Sequence, residues 1–107
     1  NVSGRGGSIG DNRAGGWYAY RASKAAQNMF TKGLSIELGR RAKGLIVLAV
    51  HPGTVATDLS APFVPRRGPD KRFTVERGAS QLLEIFREAT LEDSGKFFAW
   101  DGSEIVW

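Results

Sequence analysis

Cysteine is absent from the 107-residue chain, histidine occurs once, methionine once and proline four times. Without a thiol there is no disulfide scaffold, no thiolate metal site and no cysteine nucleophile. The single histidine, His51, cannot build a histidine cluster, and no metal is expected. No apolar run approaches the ~20 residues that a membrane-spanning helix needs, so no membrane is expected as a partner. A large excess of one charge is missing too: 15 Lys and Arg stand against 11 Asp and Glu, giving +4, and the signs are interspersed along the chain. Such a balance is weak support for nucleic acid, which is not expected as a partner. The lack of cysteine fits a reducing compartment, and the cytoplasm is the expected location.

Glycine, by contrast, is abundant. Gly4, Gly6, Gly7, Gly10, Gly15 and Gly16 crowd the first sixteen residues, where they break any helix or strand and make a loop. From Trp17 to about Arg41 the chain has no proline, and Ala22, Ala26, Met29, Gly33 and Ile36 recur at helical steps with Leu34 and Leu38 beside them. That spacing predicts one helix whose apolar face lies on a sheet. Leu45 to Val50 is a continuous apolar run without alternation, the pattern of a strand covered on both faces, and His51-Pro52-Gly53 ends it. Residues 54–73 form a loop with Pro62, Pro65 and Pro69 and the charges Arg66, Arg67, Asp70, Lys71 and Arg72. Thr74 opens a second, amphipathic helix carrying Ala79, Leu82, Leu83, Ile85 and Phe86 on its apolar side. Lys96 to Trp100 reads as a strand, Asp101-Gly102 as a hairpin turn, and Ser103 to Trp107 as a short return. Helix and strand alternate, which predicts a parallel α/β sheet.

Spacing dismisses several motifs. The third glycine of a G-x-G-x-x-G fingerprint would fall on Ile9, and no Gly-Lys-Ser/Thr phosphate loop occurs. Asn1-Val2-Ser3 matches a glycosylation sequon, but without cysteine or a signal segment it reads as chance. His51 reads as a strand-end residue rather than a base.

Tyr20 and Lys24 are different, because four residues apart on a helix they share one face. At ~4 Å and an effective dielectric near 20, an ammonium contributes ~4 kcal/mol toward a phenolate. A phenol so placed can exchange its proton near neutrality, as carbonyl reduction or alcohol oxidation requires. The plainer alternative is a cation lying over a ring on a solvated face. Ser8 and Ser3 lie on the glycine loop just before the helix, where a hydroxyl can bond the same carbonyl oxygen. Pro52 to Thr57 follows the apolar strand, and loops beyond the carboxyl ends of parallel strands are where α/β sheets bind ligands.

Together these stretches resemble the short-chain dehydrogenases/reductases. Tyr20-Arg21-Ala22-Ser23-Lys24 matches the Y-x-x-x-K motif. Trp17 to Asn28, Gly7-Ser8-Ile9, Asp11-Asn12-Arg13, Gly15-Gly16, His51 to Val55, Thr57-Asp58, and Phe97 to Gly102 with Ile105-Val106-Trp107 are similar to the branch of sniffer-like and C-factor-like carbonyl reductases. The resemblance implies the C-terminal part of a Rossmann-type, doubly wound parallel sheet. It implies an enzyme that moves a hydride between NAD or NADP and a small carbonyl or alcohol substrate. Tyr20 would be the acid/base, and Lys24 would tune it and hold the nicotinamide ribose. Pro52, Gly53, Thr54 and Val55 would hold the nicotinamide side, and Thr57 would contact the cofactor amide or phosphate. A homo-oligomer, on this resemblance, would form through the Tyr20–Lys24 helix.

Two departures stand out. Members of the family usually carry Ser-Ser at the strand end and use the second, whereas here Gly4 follows Ser3; Ser8 is the preferred candidate and Ser3 the alternative. The family's cofactor glycine loop, its residue choosing between NAD and NADP, and its catalytic Asn all precede the serine strand and are not in this chain. The expectation is therefore a C-terminal portion, residues 1–107, of a single domain, inactive by itself. A non-catalytic dinucleotide-binding or regulatory relative is the alternative that Gly4 supports. A basic nucleic-acid module using Arg66, Arg67, Lys71 and Arg72 has only Phe73 as an accompanying aromatic.

Overall fold

The computed structural model describes residues 1–64, 66 and 68–107. Pro65 and Arg67, assigned above to the loop and to the basic patch, lie outside the described residues. Two helices, α1 (Tyr18–Arg41) and α2 (Val75–Glu88), alternate with two short strands, β1 (Ala49–His51) and β2 (Phe97–Ala99). The strands are parallel, with Ala49 opposite Phe97, Val50 opposite Phe98 and His51 opposite Ala99. Val2 adds a parallel bridge to Val50, held by Ser3 N–H donating to the Val50 carbonyl at 2.7 Å and Val50 N–H donating to Asn1 at 2.9 Å. On the far edge, Phe98 pairs antiparallel with Glu104 after the tight turn at Asp101-Gly102. The fold is α/β with parallel strands, as the alternation of elements predicts.

The apolar run is buried where pairing is densest. Leu48, Ala49 and Val50 are buried, while Leu45 is exposed and Leu45 to Leu48 lie outside the strand. Ala49, Phe97, Ala99 and Ile105 form the core, with the Trp107 ring stacked on Phe97 at 5.6 Å. Thr74 caps α2 by accepting from the Arg77 N–H at 3.2 Å.

The expected apolar face of α1 does not lie on the strands. Met29 and Phe30 are 73% and 71% exposed, and Leu34 and Ile36 are exposed as well. The face turned inward carries Asn28, Thr31 and Ser35. Close approach explains the reversal: a Cβ on Gly7 would stand 2.7 Å from the Lys24 backbone carbon, and one on Gly95 2.6 Å from Ser35 Oγ. Only small side chains fit against backbone at that range, and the polar ones there find partners. Ser3 Oγ donates to Asn28 Oδ1 at 2.7 Å, and Asn1 Nδ2 donates to Thr31 Oγ1 at 2.7 Å. Leu82 and Ile85 of α2 are half-buried, while Ala79, Leu83 and Phe86 are exposed.

Candidate active site

The loop after Val2-Ser3 packs on the first turns of α1, and Val2-Ser3 itself pairs with β1 just before the turn that follows that strand. The helix starts abruptly. Gly15, Gly16 and Trp17 all have positive φ, 64°, 65° and 53°, and Trp17 then serves as the N-cap residue. For a bulky residue that conformation is costly and must be held by its surroundings. The Trp17 ring packs on Phe63 at 5.0 Å and edge-on to Tyr20 at 6.5 Å, and Arg21 reaches back to the Gly16 carbonyl at 3.0 Å.

Tyr20 is 43% exposed, with its ring over the glycine loop. A Cβ built on Gly4 would lie 2.5 Å from the Tyr20 hydroxyl and 3.8 Å from Lys24 Cγ, so both side chains border the same glycine. The Lys24 ammonium donates to Gln27 Oε1 at 3.2 Å, and Gln27 Nε2 donates to the Val2 carbonyl at 3.0 Å. Lys24 is thereby tethered to the strand end.

The serine candidates are engaged elsewhere. Ser8 is buried, donates to the Val106 carbonyl and accepts from the Asp11 N–H at 3.0 Å. It ties the glycine loop to the C-terminal return, an employment that its sequence position did not signal. Ser3 is buried with its hydroxyl on Asn28. Asn28 Nδ2 is itself buried without a partner among the described residues.

Beyond β1, Pro52 leads into Gly53 at φ 75°, a left-handed turn where a side chain would also collide with the Phe73 ring at 2.6 Å. Val55 and Phe73 pair as a parallel bridge, with Ala56 N–H donating to the Phe73 carbonyl at 2.9 Å. Ser60 Oγ donates to Val55 O at 2.5 Å and accepts from Thr57 N–H at 3.2 Å, which closes the Val55–Thr57 turn. Thr54 and Thr57 are exposed. A cavity of about 490 Å³ opens beside Thr54, Phe63 and Arg72.

His51 ends β1 half-buried, and burial followed by the nearby Arg5 charge holds its pKa below the ordinary value. Arg72 is bound to Asp70 at 2.9 Å, and Phe73 packs between the Trp100 ring at 4.8 Å and the Arg77 guanidinium at 4.3 Å. The aromatic that a nucleic-acid reading would need is therefore engaged within the fold. Among the described residues, no helix is long and apolar enough to cross a membrane, and no three metal-ligating side chains cluster.

Residues 6–68 match the family described as short chain dehydrogenase. The chain belongs to that family. It is 42% identical over 106 residues to 1-hydroxy-2-glutathionyl-2-methyl-3-butene dehydrogenase of Rhodococcus sp. (strain AD45), covering 99% of this chain and 45% of that protein. It is 38% identical to C-signal of Myxococcus xanthus, covering 100% of this chain and 59% of the relative. Among solved structures, it superposes on an NADPH-bound carbonyl reductase from chicken fatty liver with a TM-score of 0.83 and 33% identity, covering 100% of this chain and 41% of that one. The carbonyl reductase Sniffer of D. melanogaster gives the same TM-score of 0.83 at 33% identity, over 100% of this chain and 40% of that one. These likenesses make the parallel α/β arrangement a Rossmann-type one. The chain spans less than two thirds of the length of each of these relatives.

Proposed function

We propose that this short-chain dehydrogenase chain carries the proton-transfer side of an oxidoreductase that interconverts small carbonyls and alcohols with NAD or NADP. The observation that carries the reading is the meeting of Tyr20 and Lys24 at Gly4, directly after the Val2-Ser3 segment that pairs with β1. The residues fit a nicotinamide cofactor by their chemistry. Lys24 uses one of its three donors on Gln27, Thr54 and Thr57 are exposed hydroxyl residues, and the left-handed turn at Gly53 follows the carboxyl end of β1. When bound, such a cofactor supplies or accepts the hydride.

The chain's own residues handle the rest. In reduction the carbonyl carbon gains the hydride, the electron pair of the C–O double bond moves to oxygen, and that oxygen takes the Tyr20 proton. In oxidation the Tyr20 phenolate takes the proton back. Lys24, bordering the same glycine as Tyr20, would donate to the ribose hydroxyls of a bound cofactor. Pro52, Gly53, Thr54 and Val55 would hold the nicotinamide side, and Thr57 would meet the cofactor's amide or phosphate. Ser8, bound to Val106 and Asp11, supports the loop beneath. The exposed Met29 and Phe30 face of α1 is the surface that a second copy would use.

The test is Tyr20→Phe in the complete protein as its gene encodes it. We expect kcat for carbonyl reduction to fall at least about tenfold with cofactor KM unchanged, since only the transferable proton is removed. A variant that keeps most of its kcat would take the acid role from Tyr20. The second reading, a dinucleotide-binding relative without turnover, is favoured by the absence of a side chain at Gly4, and it predicts cofactor binding with no rate to lose.

A further inference from the structure

Along α1, Tyr20, Lys24, Gln27 and Thr31 follow one another at helical steps, which places them in one stripe. The stripe meets the start of the chain in reverse order. Tyr20 and Lys24 border Gly4, Gln27 Nε2 donates to the Val2 carbonyl at 3.0 Å, and Thr31 Oγ1 accepts from Asn1 Nδ2 at 2.7 Å. That segment is itself fixed, because Val2 bridges to Val50 and the Ser3 N–H donates to the Val50 carbonyl. Lys24 is packed at its root, where a Cβ on Gly7 would stand 2.7 Å from its backbone carbon. Its ammonium, by contrast, ends a flexible four-carbon stem.

We infer that Gln27 is a positioning residue for Lys24, tying the ammonium to the sheet through the Val2 carbonyl. The amide is bonded at both ends, with Nε2 on Val2 and Oε1 accepting from Lys24 Nζ at 3.2 Å. A backbone carbonyl only accepts, so Val2 takes the amide N–H and turns Oε1 toward the ammonium. The strand, not Lys24, therefore sets which end faces which. For its consequence at the ribose the inference rests on the function proposed above: a lysine tip already held surrenders less freedom when a ligand binds. The tie itself belongs to the chain before any cofactor arrives. Methionine at position 27 keeps the length and the helix preference while removing both bonds, and glutamate keeps the acceptor while removing the donor.

The experiment uses the complete protein and two readouts. Without cofactor, acetylation of Lys24 by acetic anhydride is followed by peptide mass spectrometry, with the exposed Lys43 and Lys71 as internal references. Gln27→Met is expected to raise the Lys24 rate relative to both, and an unchanged rate would overturn the tie. For binding, NADH and NADPH are titrated by fluorescence into wild type, Gln27→Met, Lys24→Met and the double variant. For the cofactor that wild type binds, Gln27→Met is expected to raise the dissociation constant about 2- to 10-fold with Lys24 present and to change it little in the Lys24→Met background. Equal losses in both backgrounds, or no loss in either, would overturn the positioning role. Gln27→Glu is expected to bind as weakly as Gln27→Met, whereas wild-type affinity would show that an acceptor alone suffices and would overturn the anchoring by Val2. If wild type binds neither cofactor, the proposed function fails, while the acetylation rates still decide the tie.

Discussion

Ser8 shows how one hydroxyl can answer to two roles until its partners are known. It lies buried between the Val106 carbonyl and the Asp11 N–H, so Ser8→Ala leaves polar backbone without its partner. We expect a loss of about 1–3 kcal/mol in denaturant unfolding, with kcat of the folded protein little changed. A collapse of kcat at unaltered stability would return Ser8 to the reacting oxygen. His51 makes a second prediction, through pH. Its folded pKa lies below the unfolded 6.5, because burial and Arg5 oppose the charged form. Between the folded pKa and about 6.5 the unfolded chain binds more protons, so stability falls as pH drops through that window and levels off below the folded value. His51→Gln should flatten that part of a pH series of unfolding midpoints, and an unchanged slope would assign it to other groups.

At the scale of the elements, α2 starts where its capping chemistry says, α1 does not, and both face where their neighbours allow. Thr74 is legible as a cap from sequence, and it caps. Trp17 is not, since nothing in residue type marks a tryptophan for φ 53°; its packing on Phe63 and Tyr20 supports it there. The inward face of α1 was likewise illegible. Periodicity ranks side chains by hydrophobicity, whereas the gap between α1 and the backbone at Gly7 and Gly95 selects by size. One substitution should accordingly change sign along the chain. Gly39→Ala, within α1 and with nothing inside 4 Å of its Cβ position, is expected to stabilise by about 0.5–1 kcal/mol. Gly7→Ala, which would press on the Lys24 backbone at 2.7 Å, is expected to destabilise by about 1–3 kcal/mol. Urea unfolding of both variants checks the pair, and matching signs would refute the size argument.

The whole molecule has a small core for its length. Its two strands are three residues each, its radius of gyration is 14.8 Å, and its extents are 50 × 30 × 21 Å. Leu59, Met29 and Phe30 are each more than 70% exposed, which is more apolar surface than so thin a sheet can offset. The 107-residue chain expressed by itself is expected to self-associate and to unfold without a sharp transition. Light scattering and calorimetry would show this, and a monomer with one cooperative peak would contradict it.

Sequence by itself determined the order of elements, the Thr74 cap, the glycine loop, and the four-residue step that sets Tyr20 and Lys24 on one helical face. Those are local properties, carried by side-chain period and backbone preference within a few residues. Tertiary structure alone decided which face of α1 is covered, where the hydroxyls of Ser3 and Ser8 are bound, and that Gly4 lies against the Tyr20 oxygen. Each of these is a contact between segments whose separation depends on packing. Closeness of approach, unlike periodicity, is not written in any one stretch of chain.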